Sequence, residues 1–252
     1  MTKESGLGAG FLLAGYDFTG DVTALGNIGG GPKLAENTGI DKLGIERIGL
    51  QRDGRMSITS WFNPSANMSH KRLSTLPRTD VQAQYWHRQV IARPVACIIA
   101  VQPDYVGNRA QDGSFTFETE FDANGYGLEW CTGLTAFKRS DTTATNGTGV
   151  DLASATFAGS STFGLQAYLQ VFSFTGTSCT VKLQESSDNG AGDAWADVTG
   201  GGFTAATGIT QERIQTSRTQ TVERYLRVVT TGTFTQCTFA VAVQRNDTLT
   251  AF

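Results

Sequence analysis

From residue 55 onward the chain alternates in polarity. Met56, Ile58, Ser60 and Phe62 fall on one side, and Arg55, Ser57, Thr59 and Trp61 on the other. A period of two is the mark of a strand with distinct faces. Asp53-Gly54 stands just before this run, and Asp-Gly supplies the two positive-φ residues of a tight turn. The pattern therefore predicts a hairpin over residues 44–64 with its turn at 53–54. Residues 81–87 alternate as a second strand. The run PVACIIAV at 94–101 is apolar throughout, as in a strand covered on both faces. A second Asp-Gly, at 112–113, predicts a turn feeding a strand over 114–122. There Phe115, Phe117, Thr119 and Phe121 share one face, while Thr116, Glu118, Glu120 and Asp122 share the other.

Helical signals are few. Residues 65–73 suit one short helix, with Ser65 as N-cap, ending before Leu76-Pro77 because the residue before a proline avoids the helical region. The Gly-rich first 36 residues are weakly patterned, and Gly29-Gly30-Gly31-Pro32 reads as a loop, or as an arm ordered against a partner. Around residues 140–151 large apolar residues lapse into Ser, Thr, Gly and Asn, the composition of a linker. This places a boundary near 148, with domains at 1–148 and 149–252. Beyond it, residues 163–174, 179–183, 225–230 and 237–243 alternate as strands, separated by turn signals such as Ser187-Asp188-Asn189-Gly190. That spacing predicts an antiparallel β-sandwich or jelly roll. The fold class is mainly β, and residues 149–252 fold by themselves on this reading.

Composition reinforces the β reading: 30 of 252 residues are glycine, and only 17% are charged. The net charge of −3 argues against a surface that grips nucleic acid phosphates. Cys97, Cys131, Cys179 and Cys237 are widely spaced, and they read as buried free thiols rather than metal ligands. Only His70 and His87 could serve as an imidazole base, and neither stands near a nucleophile motif, so no enzyme activity is expected. Asp188, Asp193 and Asp197 lack the spacing of a calcium loop. No cofactor and no metal is expected. The N-terminal apolar run is too short for a signal peptide or a membrane span, which implies assembly in a cytoplasm without a membrane partner. Trp195 and Tyr225 could form an aromatic platform for a sugar, or pack in the core.

Taken in order, several motifs resemble those of the tail tube (major tail) proteins of long-tailed bacteriophages. They are Gly15-Tyr16-Asp17 through Asp21-Val22, Gly39-Ile40-Asp41, and Arg52-Asp53-Gly54 with the strand ending Trp61-Phe62-Asn63-Pro64. His70 before Leu73, Leu76-Pro77-Arg78-Thr79-Asp80, and Asp112-Gly113 complete the set. The resemblance covers roughly residues 15–135. It implies an N-terminal β-sandwich or half-barrel with one short helix, and subunits joined edge to edge in a hexameric ring. Such rings stack into a virion tail tube that delivers the genome. Residues 149–252 resemble the galactose-binding-like or immunoglobulin-like domains appended to phage structural proteins. The partners implied are other copies of the chain and other tail proteins: the tape measure, the terminator and the distal tail protein. Genomic DNA would pass through the lumen without specific binding, and host-surface glycans would meet the C-terminal domain. On the same resemblance Arg52, Asp53, Gly54 and Arg55 are candidates for contact between rings. Glu118, Glu120 and Asp122 are candidates for the channel lining, since an acidic wall would repel phosphate. The alternative implied role is a capsid decoration protein or a carbohydrate-binding tail component.

Overall fold

A computed structural model describes residues 3–154 and 157–249. The chain is mainly β. Its first strands are β1 (Gly10–Leu13), β2 (Tyr16–Asp17), β3 (Val22–Glu36) and β4 (Arg47–Trp61). One helical turn and a half, α1 (Ser69–Leu73), comes next. β5 (Val81–Trp86), β6 (Pro94–Val101), β7 (Val106–Arg109), β8 (Phe115–Ala123), β9 (Glu129–Gly133), β10 (Arg139–Asp141) and β11 (Val150–Asp151) follow. The chain ends in β12 (Leu165–Ser186), β13 (Ala196–Gly202), β14 (Thr210–Gln215) and β15 (Tyr225–Arg245). Its contacts divide into two compact units, each built from separated stretches of sequence. The first comprises residues 1–19, 84–97 and 130–252; the second comprises 20–83 and 98–129.

The first unit is organised by β12 and β15, paired antiparallel from Leu165 opposite Arg245 to Ser186 opposite Tyr225. Alternation over residues 163–174 and 179–183 suggested two strands; they are the halves of β12, and 225–230 and 237–243 are the halves of β15. Gly176 (φ 149°) and Gly232 (φ 122°) mark the bend between the halves. A β-carbon at either would strike the backbone of the facing strand. Register shifts gather there too, as expected where bulges sharpen a bend. β14 and β13 pair with the first and second halves of β12. β9, β10 and β11 pair with β15. Apolar residues of both halves, including Leu169, Val181, Leu226 and Val241, meet in one core.

The stretch that reads as a linker lies inside this unit. Asn146 bridges Val229, the Gly147 N–H donates to the Val228 carbonyl, and β10 and β11 flank it on β15. Residue 148 is therefore not where the contacts divide. Short polar residues satisfy a sheet edge as readily as a free linker, and composition does not separate the two.

The second unit is a sheet ordered β3, β4, β8, with β6 and β7 both on the far edge of β8. The Gly-rich segment is strand here, not loop: Gly29, Gly30 and Gly31 lie opposite Arg55, Gly54 and Asp53. The helix is shorter than its sequence signal. It begins at Ser69 after a turn at Ser65–Met68, with no side-chain cap. Leu73 anchors it in the core.

Candidate assembly surface

The turn at Asp53-Gly54 is not formed. β4 runs straight through both residues, and the chain reverses instead over residues 37–46. Gly54 has no positive φ. It is needed for space: a β-carbon there would stand 2.5 Å from the Leu128 amide nitrogen and 2.7 Å from its β-carbon. One at Gly30 would stand 2.5 Å from the Asp53 carbonyl and 3.1 Å from the Leu128 β-carbon. The two facing glycines make a flat place where Leu128 packs. By contrast, Asp112-Gly113 does turn the chain. Gly113 has φ 90°, and the Asp112 carboxylate accepts the Ser114 N–H at 2.9 Å.

Beyond this glycine seat the β3–β4 hairpin leaves the body of its unit. On β4, Gly54, Met56, Ile58 and Ser60 are buried, whereas Arg47 to Arg52 are exposed on both faces. The tip is held in shape. The Asn37 N–H donates to the Glu46 carbonyl, the Glu46 N–H to the Thr38 hydroxyl, and the Lys42 N–H to the Gly39 carbonyl, all at 3.0–3.1 Å. Leu34, Ile40, Leu43, Ile45, Ile48 and Leu50 all stand in solvent along it, Ile40 and Leu43 completely so. Among the described residues the outer edge of β3 has no strand beside it. Sequence reasoning missed this surface because it placed the turn too late in the chain, at 53–54 rather than over 37–46. The apolar residues between 34 and 50 in a segment with no buried face were the available signal.

Arg52, Asp53, Gly54 and Arg55 therefore sit in mid-strand at the base of the arm, not at its tip. Lys33 reaches Asp53 at 3.0 Å and, with the Gly54 N–H, holds that carboxyl below the usual range. Arg55 bonds Asp122 at 2.7 Å and reaches Glu120 at 3.3 Å. Those carboxylates keep its guanidinium charged above the usual arginine value. Glu118, Glu120 and Asp122 do share the face of β8 opposite Thr59, Ser57 and Arg55. The face is acidic but partly neutralised, three carboxylates against one guanidinium.

Both histidines are held by neighbouring side chains. His70 Nδ1 is 3.1 Å from the Tyr105 hydroxyl, in a cluster with Phe62 and Phe117. Burial pushes the Tyr105 phenol up to about 12. His87 meets Glu4, which also holds Arg88 and Arg93. In the first unit, Trp195 carries the Arg227 guanidinium 4.5 Å from its ring centroid and packs on Gly149 and Gly190. Tyr225 carries Arg224 at 5.0 Å. Arg224 is fixed by two bonds to Asp151, which lowers that carboxyl to about 2. One face of each ring is thus taken. All four cysteines are buried, and none is in a disulfide. Among the described residues there is no group of three or more metal-ligating side chains, and no helix long and apolar enough to cross a membrane.

No protein-family model and no curated protein matches the chain. Among solved structures it is similar to a chain in the tail of an empty gene transfer agent particle with C6 symmetry: 14% identity, 52% of this chain and 98% of that one, TM-score 0.39. It is also similar to the Dit protein of phage SPP1, at 13% identity over 94% and 98%, TM-score 0.34. A chain of the phage p2 baseplate in its activated conformation matches at 12% over 96% and 99%, TM-score 0.32. With these TM-scores below 0.5, the functional reading rests on this chain's own residues.

Proposed function

We propose that this protein is a virion structural protein of a bacteriophage tail, of the tail tube type, which assembles with copies of itself into rings. The observation that carries this reading is the β3–β4 arm, with six exposed aliphatic side chains and an unpaired strand edge. Burying each such side chain is worth about 1.5 kcal/mol or more, and a long bare edge invites a further strand. A monomer gains nothing from holding such a surface in a defined shape, whereas an assembly buries it. The ordered motifs over residues 15–135 support the tail tube type. The acidic face of β8 suits the wall of a channel that DNA must slide past without adhering. The role is one of assembly rather than catalysis, in a virion tail built in the host cytoplasm.

The test is electron microscopy and sedimentation of the purified protein. Rings or tubes with a central hole are expected. Ile40→Asp with Leu43→Asp should abolish them, while circular dichroism and the thermal midpoint of the monomer stay as in the wild type, because both side chains are fully exposed. A wild-type protein that remains monomeric at high concentration would overturn the reading.

A further inference from the structure

Asparagine followed by glycine occurs three times, at 124–125, 146–147 and 189–190. The pair is chemically labile. The glycine amide nitrogen can attack the asparagine side-chain carbonyl, with no β-carbon in the way, and asparagine is among the thermolabile residues. Whether a folded chain permits the attack depends on what already holds that N–H. Two of the pairs are locked. The Gly147 N–H donates to the Val228 carbonyl at 2.8 Å, and Asn146 bridges Val229 on β15. The Gly190 N–H donates to the Ser186 hydroxyl at 2.8 Å, and Trp195 packs on that glycine. A nitrogen held in this way cannot turn onto the neighbouring side chain until its bond opens.

The third pair lies in the second unit, between β8 and β9. Asn124 and Gly125 are exposed, and residues 124–128 belong to no strand or helix. Gly125 has φ 77°, and a β-carbon there would meet nothing within 4 Å. Among the described residues nothing accepts the Gly125 N–H. The Asn124 N–H donates to the Ile99 carbonyl at 2.9 Å, and its Nδ2 to the Asp80 carboxylate at 2.8 Å. Neither bond engages the side-chain carbonyl that would be attacked.

We propose that Asn124 is a site of spontaneous modification, where the folded protein converts this asparagine to aspartate and isoaspartate while Asn146 and Asn189 stay intact. The Gly125 nitrogen sheds its proton and bonds to Asn124 Cγ. The Cγ–Nδ2 bond breaks, and that nitrogen takes up the proton and leaves as ammonia, so a cyclic imide remains. Water then adds to one of the two imide carbonyls, and the bond from that carbon to nitrogen breaks. Opening at Cγ gives aspartate; opening at the main-chain carbonyl gives isoaspartate, whose chain runs through the former side chain. One water is consumed and one ammonia released, with no change of oxidation state. The product acts where it forms. The bond from Asn124 to Asp80 gives way to two facing carboxylates. Position 124 also continues the alternation of Glu118, Glu120 and Asp122. The acidic row therefore grows by one carboxylate, while Arg55 already serves Glu120 and Asp122.

The experiment keeps the full-length protein in warm, mildly alkaline buffer for weeks. Samples are taken for isoelectric focusing and for peptide mapping by a fragmentation method that separates isoaspartate from aspartate. The expected result is a new, more acidic band, with both products at position 124. Conversion there should run about tenfold faster than at Asn146 or Asn189, whose glycine N–H bonds must open first. In urea the three pairs should convert at similar rates. The rate should climb with pH, because the attacking nitrogen has to lose its proton. Asn124→Gln, which would need a larger ring, should not gain the acidic band over the same weeks. An intact Asn124 at the end of the incubation would overturn the proposal. So would earlier conversion at Asn146 or Asn189, aspartate without isoaspartate, or the same lead for Asn124 in urea; the wild-type map decides even if the variant folds poorly.

Discussion

Gly54 shows how one residue type serves two different ends. Asp-Gly reads as a turn, and at 112–113 it is one. At 53–54 the glycine is there because the Leu128 backbone lies where a side chain would be. The sequence carries no mark of which use applies, since Leu128 lies far along the chain. Gly54→Ala should cost about 1–3 kcal/mol through overpacking. Gly31→Ala, with open space at the same pairing, should shift denaturant midpoints little. Equal effects would remove Leu128 as the cause. Glu185 offers a second measurable residue. Its carboxylate is half-buried on β12 and accepts the Glu223 N–H at 2.9 Å, but desolvation raises its pKa. A raised carboxylate pKa means that folding favours the protonated form. Stability is therefore lost as pH rises from the unfolded value through the folded one. Glu185→Gln should melt about 1–3 °C above the wild type at neutral pH, and the gap should close in acid.

At the scale of elements, period-two alternation found most of the strands, because a sheet with one buried face writes its own pattern. β6 and β8 fall within one residue of their expected bounds. What alternation could not show was continuity. β12 and β15 each read as two strands, because the exposed polar residues at their bends look like loops. The Gly-rich β3 has little side-chain pattern to read, its pairing being with β4 and its burial slight. The arm that β3 and β4 form was invisible for the same reason: its side chains face solvent on both sides, so no face distinguishes itself. Of the aliphatic side chains that carry the assembly reading, Ile48 and Leu50 were placed before a turn that the chain makes ahead of them.

For the whole molecule, composition revealed the β class. The partition into units depends on contacts between distant segments, which local composition does not encode. A chain ending at residue 148 keeps β1, β2, β9 and β10 but loses β12 and β15, their core. We expect residues 1–148 expressed alone to lack a cooperative thermal transition, measured by calorimetry, and to aggregate. A sharp transition would show that the first half folds without β12 and β15.

The first unit takes its opening strand from residues 10–13 and its closing strand from residues 225–245. On a ribosome adding roughly 5–20 residues per second, β1 emerges on the order of ten to forty seconds before β15 is complete. Non-local pairing of this kind is slow to form. The unit thus cannot begin its central ribbon until residues 225–245 have been synthesised, and a chain terminated before them never acquires it. Synthesis through β15 becomes a condition for a native first unit, so that products stopped short of it lack that unit's core.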